Sequence, residues 1–202
     1  MADEILETIH LEHIPASHSV HVAVFQDVDN SDFLHQQLLA RNAEYEFALI
    51  DASVITSRIQ VLSAVFKAIT AQVAGTMKTP NVHSEIVCSL SPTNNITESY
   101  RRHGITPSSR NLVIVKVLFP DTSAAETVPK TLEDVQRHLV ANVKGTPHAF
   151  TDETLSQLTD WSRVRKYYKL NGVAWLDGVK DEKAKAHESD MLILGGMALR
   201  GL

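Results

Sequence analysis

The apolar positions of this chain change period several times, and each change marks an element. "SVHVAVFQDV" (19–28) alternates Val20, Val22 and Val24 and is rich in β-branched residues, which predicts a strand. "NSDFLHQQLLAR" then spaces Phe33, Leu34 and Leu38 for a helix that Asn30 or Ser31 can cap. "EFALIDASVI" is a short apolar run and reads as a strand or its approach. Over 56–74, Ile59, Leu62, Phe66, Ile69 and Val73 recur at helical spacing, with Val65 at the margin of the stripe, and Gly75 stops the helix. The opposite side carries Gln60, Ser63, Ala64, Lys67, Thr70 and Ala71. A face so lightly charged is expected to have something lying across it.

"HSEIVCSL" (83–90) and "RNLVIVKVL" (110–118) are Val- and Ile-rich and predict two further strands. Residues 121–129 are small and polar and read as a loop. "KTLEDVQRHLVANV" places Leu132, Val135, Leu139 and Val143 in helical register, and shorter helices are expected at 151–158 and 160–169. Residues 177–189 are charged, lack large apolar side chains and are expected to form a mobile insertion. From Met191 to Leu199 every residue is apolar or glycine. Such a helix is either wholly buried, or meets the core on one side and a partner on the other. Gly195–Gly196 costs about 2 kcal/mol of helix propensity against two alanines, which is tolerated where another group must come close. No internal repeat or domain boundary is visible, so 1–202 is read as one domain in which strands and helices mix.

One stretch, "SLSPTNNITESYRRHGI" (89–105), is written more sharply than the rest. Pro92 biases Ser91 away from helix, so a strand is expected to end there. Asn95 is a good N-cap with Glu98 three residues on, and the helix runs from Ile96 to His103. Gly104 is expected as the left-handed C′ residue, with Ile105 as the apolar residue after it. Arg101, Arg102 and His103 meet the negative end of the helix dipole. Folding accounts for all of these, but Asn94 has no scaffold duty. The turn also offers backbone N–H groups suited to a phosphate or another anion.

A total of 202 residues with 44% hydrophobic and 21% charged residues suits a protein with a real core. The net charge of −5 argues against coating nucleic acid by bulk electrostatics and leaves room for a local basic patch. A single cysteine, Cys88, excludes an internal disulfide and fits a reducing compartment. No secretory signal or membrane-spanning run is visible, so the "NIT" sequon at 95–97 is expected to stay unused and the protein to be cytosolic or nuclear. His10, His13, His18 and His21 cluster without metal-ligand spacing, and no metal or cofactor is expected. Cys88 reads as a small buried hydrophobe. No Walker loop, GxSxG or GxGxxG is present, and the carboxylates are scattered, so an enzyme has no catalytic constellation to rest on. Trp161 and Trp175 can stack on a base but serve more often in cores and interfaces.

"VFQDVDN", "MKTPNVHSEIVCSLSPTNNITESYRRHGI" and "VRKYYKLN" together resemble the PRPK-binding-protein (CGI-121-like) family of KEOPS (EKC) complex subunits. The resemblance runs from about Val20 to Leu118 and resumes at 160–171 and at the C-terminal helix. It implies a compact α/β domain with a mixed β-sheet and helices packed around it. It also implies a non-catalytic subunit, nuclear and cytoplasmic, that binds and activates a small atypical kinase/ATPase beside other KEOPS subunits. The complex installs threonylcarbamoyl on tRNA adenosine and is linked to telomere maintenance and transcription; the family subunit can engage the 3′ CCA end of tRNA. Carried over by position, Lys67, Lys78, Asn94, Asn95 and Ile96 are the implied RNA contacts. The kinase is assigned to the C-terminal helix through some of Met191, Leu194, Met197, Ala198 and Leu202. Thr93 stands where an Asn is expected in animal relatives, and 177–189 is longer than expected. The rival reading is an independent small-molecule or anion-binding protein, or an enzyme, using the turn at 92–96.

Overall fold

The computed structural model describes residues 5–120 and 131–200; the loop expected at 121–129 and Leu202 lie outside them. Among the described residues five strands form one sheet: β1 (Glu7–Ile9), β2 (Ser19–Gln26), β3 (Ala48–Asp51), β4 (Leu112–Leu118) and β5 (Thr146–His148). The order is β1-β2-β4-β3, with β5 pairing β2 beyond β1's short register. The α/β class is borne out, and within it each pairing is antiparallel where a mixed sheet was implied. The predicted strands at 19–28 and 110–118 are β2 and β4, whose central pair sets Val22 opposite Val115. "EFALIDASVI" supplies β3 and a 3-10 turn at Ala52–Val54.

Both faces of β2 and β4 are covered, because their inward and outward side chains are apolar alike. On one face Val20, Val22, Val24, Val113, Val115 and Val117 pack against α2 (Arg58–Val73), α3 (Val82–Ser89), α6 (Asp152–Leu158), α7 (Trp161–Tyr167), α8 (Ala174–Asp177) and α9 (Glu182–Ala198). On the other, Ala23, Phe25, Leu112 and Ile114 pack against α1 (Ser31–Leu39) and α5 (Leu132–Asn142). α4 (Ile96–His103) sits beside α3 and leads back into β4.

Several expectations are corrected. Residues 83–90 are not a strand but most of α3. Asn81 caps that helix by accepting from the Ser84 N–H at 2.8 Å. All of Val82–Ser89 except Ser84 is buried, so the run has no polar face and its period cannot distinguish a buried helix from a strand. The stripe read on α2 points the wrong way. Gln60, Val61, Ala64, Val65, Ala68 and Ile69 are buried, while Ile59 and Val73 are more than half exposed. Ala64 and Ala68 face inward and let α2 lie close to α3, while Ile59, Phe66 and Val73 are turned outward and, of the expected stripe, Ile69 stays buried.

Gly104 does not adopt a left-handed conformation; its φ is −75°. Glycine is required there for space, since an added Cβ would meet the Tyr100 carbonyl oxygen at 2.8 Å. Gly75, by contrast, stops α2 with φ +67° as read. Of the 177–189 segment expected to be an insertion, residues 182–189 are the first half of α9, capped by Asp181. Gly195 has no neighbour within 4 Å of an added Cβ, and Gly196 meets only Pro92 at 3.5 Å, so neither marks an enforced close approach.

Candidate functional site

The turn after α3 and the helix that follows are built largely as the residues dictate. Asn95 accepts from the Glu98 N–H at 3.0 Å and starts α4. Glu98 does not return the bond; its carboxylate pairs with Arg101 and Arg102, each at 2.5 Å, and is held below the usual carboxylate range by them. Asn95 thus has scaffold duty. Asn94, Asn95 and Ile96 are all exposed at the tip.

What sits on Asn94 was not visible in the sequence. Arg200, two residues past the end of α9, donates from Nε to Asn94 Oδ1 at 3.3 Å and from Nη1 to the Cys88 carbonyl. Lys67, on the middle of α2, donates from Nζ to the carbonyls of Met197 (2.9 Å) and Arg200 (3.3 Å). Lys67 and Asn94 therefore belong to one cluster, joined by the end of the C-terminal helix. Burial, and then the charges of Arg200 and Lys78, hold the Lys67 ammonium below its ordinary value, while Glu85 opposes them. Lys78 is exposed, and its loop is fixed by Glu85, which accepts the Lys78 and Thr79 N–H groups at 3.0 Å each and the Thr79 hydroxyl at 2.7 Å. The structure thus gathers Lys67, Lys78 and Asn94, with Asn95 and Ile96 adjoining.

Beside this cluster α2 and α9 leave an open groove of about 820 Å³. Ile59, Leu62, Phe66, Leu194 and Ala198 line it, and Lys67 stands at its margin. Of the residues assigned to a kinase contact, Met191 is 55% exposed, Ala198 is exposed, and Leu194 is half-buried in the groove. Met197 is 3% exposed and belongs to the core, where it sits one turn from buried Ile193. α9 therefore meets the core on one side only. Ile59 and Phe66 were missed as surface residues because their spacing reads as a core stripe. The small residues at 64 and 68 were the signal for the other orientation.

Behind the turn lies a buried polar network. Tyr168 donates to the Leu90 carbonyl at 2.6 Å, accepts from Gln60 Nε2 at 2.8 Å, and stands 3.2 Å from His103 Nε2. Burial raises the Tyr168 hydroxyl and pushes His103 down to about 4. His83 is likewise lowered to about 4 by burial; its Nε2 accepts from the Val117 N–H. The network anchors the carbonyl immediately before the turn to α2, α4 and α7.

Other candidate chemistry finds no site. Burial raises the Cys88 thiol to about 11, so it is no ready nucleophile. Among the described residues no three His, Cys, Asp or Glu are placed to share a metal ion, and no helix is long and apolar enough to cross a membrane. Trp161 packs against the core and Trp175 is 54% exposed on α8, apart from the turn.

Comparison with known proteins places the whole chain in a family. The EKC/KEOPS complex subunit CGI121 of Gibberella zeae is 57% identical over 98% of this chain and 99% of its own length. The corresponding subunit of Neurospora crassa is 47% identical, again over 98% and 99%. That of Yarrowia lipolytica is 34% identical over 89% of this chain and 92% of its own length. A family model described as "Kinase binding protein CGI-121" matches residues 25–201. That match runs from the end of β2 past Arg200, and so takes in the turn, the groove and both helices that form it: the chain belongs to the CGI-121 family of kinase-binding proteins.

Proposed function

We propose that this chain is a non-catalytic subunit of a KEOPS/EKC complex. It binds and activates the complex's small atypical kinase/ATPase through the groove between α2 and α9. It also helps to recruit tRNA for threonylcarbamoyladenosine modification, by holding the 3′ CCA end at the turn. The observation that carries the kinase reading is the groove itself. Ile59 and Phe66 are 56% and 39% exposed on a helix whose other face is core, and they stand opposite Leu194 and Ala198. Contiguous apolar surface of this kind favours a protein partner. The names of the relatives, all subunits of the EKC/KEOPS complex, support the assembly to which that partner belongs.

For RNA, the support is the convergence of Lys67, Lys78 and the exposed amide of Asn94 at the groove's end. Cations can meet phosphate, and amides can read an unpaired base edge in a flexible single-stranded end. The acidic total of −5 limits such binding to this local patch.

Affinity purification of the tagged chain is expected to recover a small kinase together with other KEOPS subunits. Recovery of neither contradicts the reading. Removing the CCA end from tRNA is expected to weaken its binding by about tenfold or more; equal affinity for trimmed and intact tRNA removes RNA from the account.

A further inference from the structure

Between α7 and the first half of α9 lies a cavity of about 280 Å³ that neither the kinase reading nor the RNA reading uses. Trp161 and Arg165, one turn apart on α7, line one side; Glu182, Lys185, Ala186 and Ser189 line the other. The volume stands at the small end of the range for ligand pockets, about 300–1,000 Å³. It suits a molecule of amino-acid size.

Both walls bring chemistry that folding leaves unspent. The Trp161 ring packs against the core, but among the described residues its indole N–H has no acceptor. Arg165 is held in place by donating from Nε to Asn171 Oδ1 at 3.2 Å, and from Nη2 to the Leu170 carbonyl at 3.2 Å and to the Asp177 carboxylate. Its Nη1 makes no hydrogen bond among the described residues, so a fixed guanidinium keeps donors to offer. The Ser189 hydroxyl is spent on the Lys185 carbonyl at 2.7 Å. Glu182 and Lys185 form no ion pair with each other or with any other described residue. Residues three apart on a helix stand about 5–6 Å apart at their Cβ atoms, so opposite charges border the cavity at a separation that a short dipolar molecule spans. Ala186 is small and leaves the space beside the indole open.

We infer that this cavity binds a free α-amino acid with an apolar side chain. The ligand's ammonium meets Glu182, its carboxylate meets Lys185 and Nη1 of Arg165, and its side chain lies on the Trp161 ring beside Ala186. A free amino acid carries both charges on one residue, whereas either end of a peptide carries one of them. Once bound, it ties α7 to the charged start of α9, a segment to which neither the kinase nor the RNA gives a role.

The test uses the full chain carrying Trp175→Phe, so that Trp161 is the one emitting tryptophan. Trp175 is 54% exposed, and its replacement is expected to leave the fold intact. Titration with L-leucine or L-phenylalanine is expected to change the Trp161 emission saturably, with half-saturation at about 1 mM or below. N-acetyl-leucine, which lacks the ammonium, and leucinamide, which lacks the carboxylate, are each expected to bind about tenfold or more weakly. Glu182→Gln is expected to weaken leucine binding to the same degree and to remove the penalty on N-acetyl-leucine; Lys185→Met is expected to reduce that on leucinamide. Thermal unfolding checks that both variants are folded, and if one is not, the two analogues decide on the parent chain. A raised unfolding temperature at about 10 mM amino acid registers binding that leaves the emission unchanged. Neither signal with either amino acid overturns the inference. So do analogues that bind as tightly as leucine, or folded variants that bind leucine as the parent does.

Discussion

The Lys67 ammonium donates to the Met197 carbonyl at 2.9 Å, and so pins the last turn of α9 to the middle of α2. A cation at that position satisfies one of the orphan carbonyls that end every helix and meets the negative end of the dipole. Replacing Lys67 by Met keeps the aliphatic stem and removes these bonds. The expected loss is about 1 kcal/mol, somewhat below the ~1.5–3 kcal/mol of a hydrogen bond to a charged group, because water reaches this one. Urea unfolding of the two proteins measures it, and an unchanged midpoint contradicts the anchoring role.

Tyr168→Phe is expected to cost more. It strips the Leu90 carbonyl of its donor and Gln60 Nε2 of its acceptor at fully buried positions. Leaving buried polar groups unpaired costs about 1–3 kcal/mol each, before any relaxation. The loss is expected in chemical denaturation without a change of m-value.

Stability is expected to fall as the pH drops below neutrality. His83 and His103 are buried neutral and protonate only near 4 when folded, whereas the unfolded chain takes up protons at the ordinary histidine value near 6.5. Between these values the unfolded state binds more protons, so stability is fully present above about 6.5 and is lost progressively towards about 4. Each histidine contributes at most about 1.4 kcal/mol per pH unit in that window. Asp190, raised by burial, works in the opposite sense and offsets part of the slope. Thermal unfolding at pH 7, 6 and 5 is expected to show the decline, and a folded His103→Gln variant is expected to flatten it.

Much of the fold was legible because local chemistry and packing agreed. The strands 19–28 and 110–118, the α4 cap at Asn95, and the register of Val135 and Leu139 on α5 stand as read. The misreadings share a physical origin. Where a segment is buried all round, as in α3, period carries no information; where small residues face the core, as Ala64 and Ala68 do, apolar side chains such as Ile59, Phe66 and Val73 can point outward. The charged start of α9 was misread because its polar residues belong to the exposed first half of a helix whose anchor lies further on, at Ile193 and Met197. For the site, the residues themselves singled out Asn94 as lacking a scaffold duty and Lys67 as the lone cation on a face expected to be covered, while their assignment to RNA came through family likeness. Arg200 follows a run of nine apolar or glycine residues, and its isolation was the one available signal. Its meeting with Asn94 spans 106 positions and could not be read from spacing.

The groove between α2 and α9 is the proposed seat of the kinase. Its most direct test is a calorimetric titration of the purified kinase into wild type and into Leu194→Glu and Phe66→Ser variants that are confirmed to be folded. Leu194 and Phe66 line opposite walls of the groove, one half-buried and one exposed, so substitution at Phe66 is expected to leave stability nearly unchanged. Saturable binding to wild type is expected, with no detectable binding to Leu194→Glu and affinity weakened about tenfold or more in Phe66→Ser. Wild-type affinity in both variants would place the kinase elsewhere on the chain.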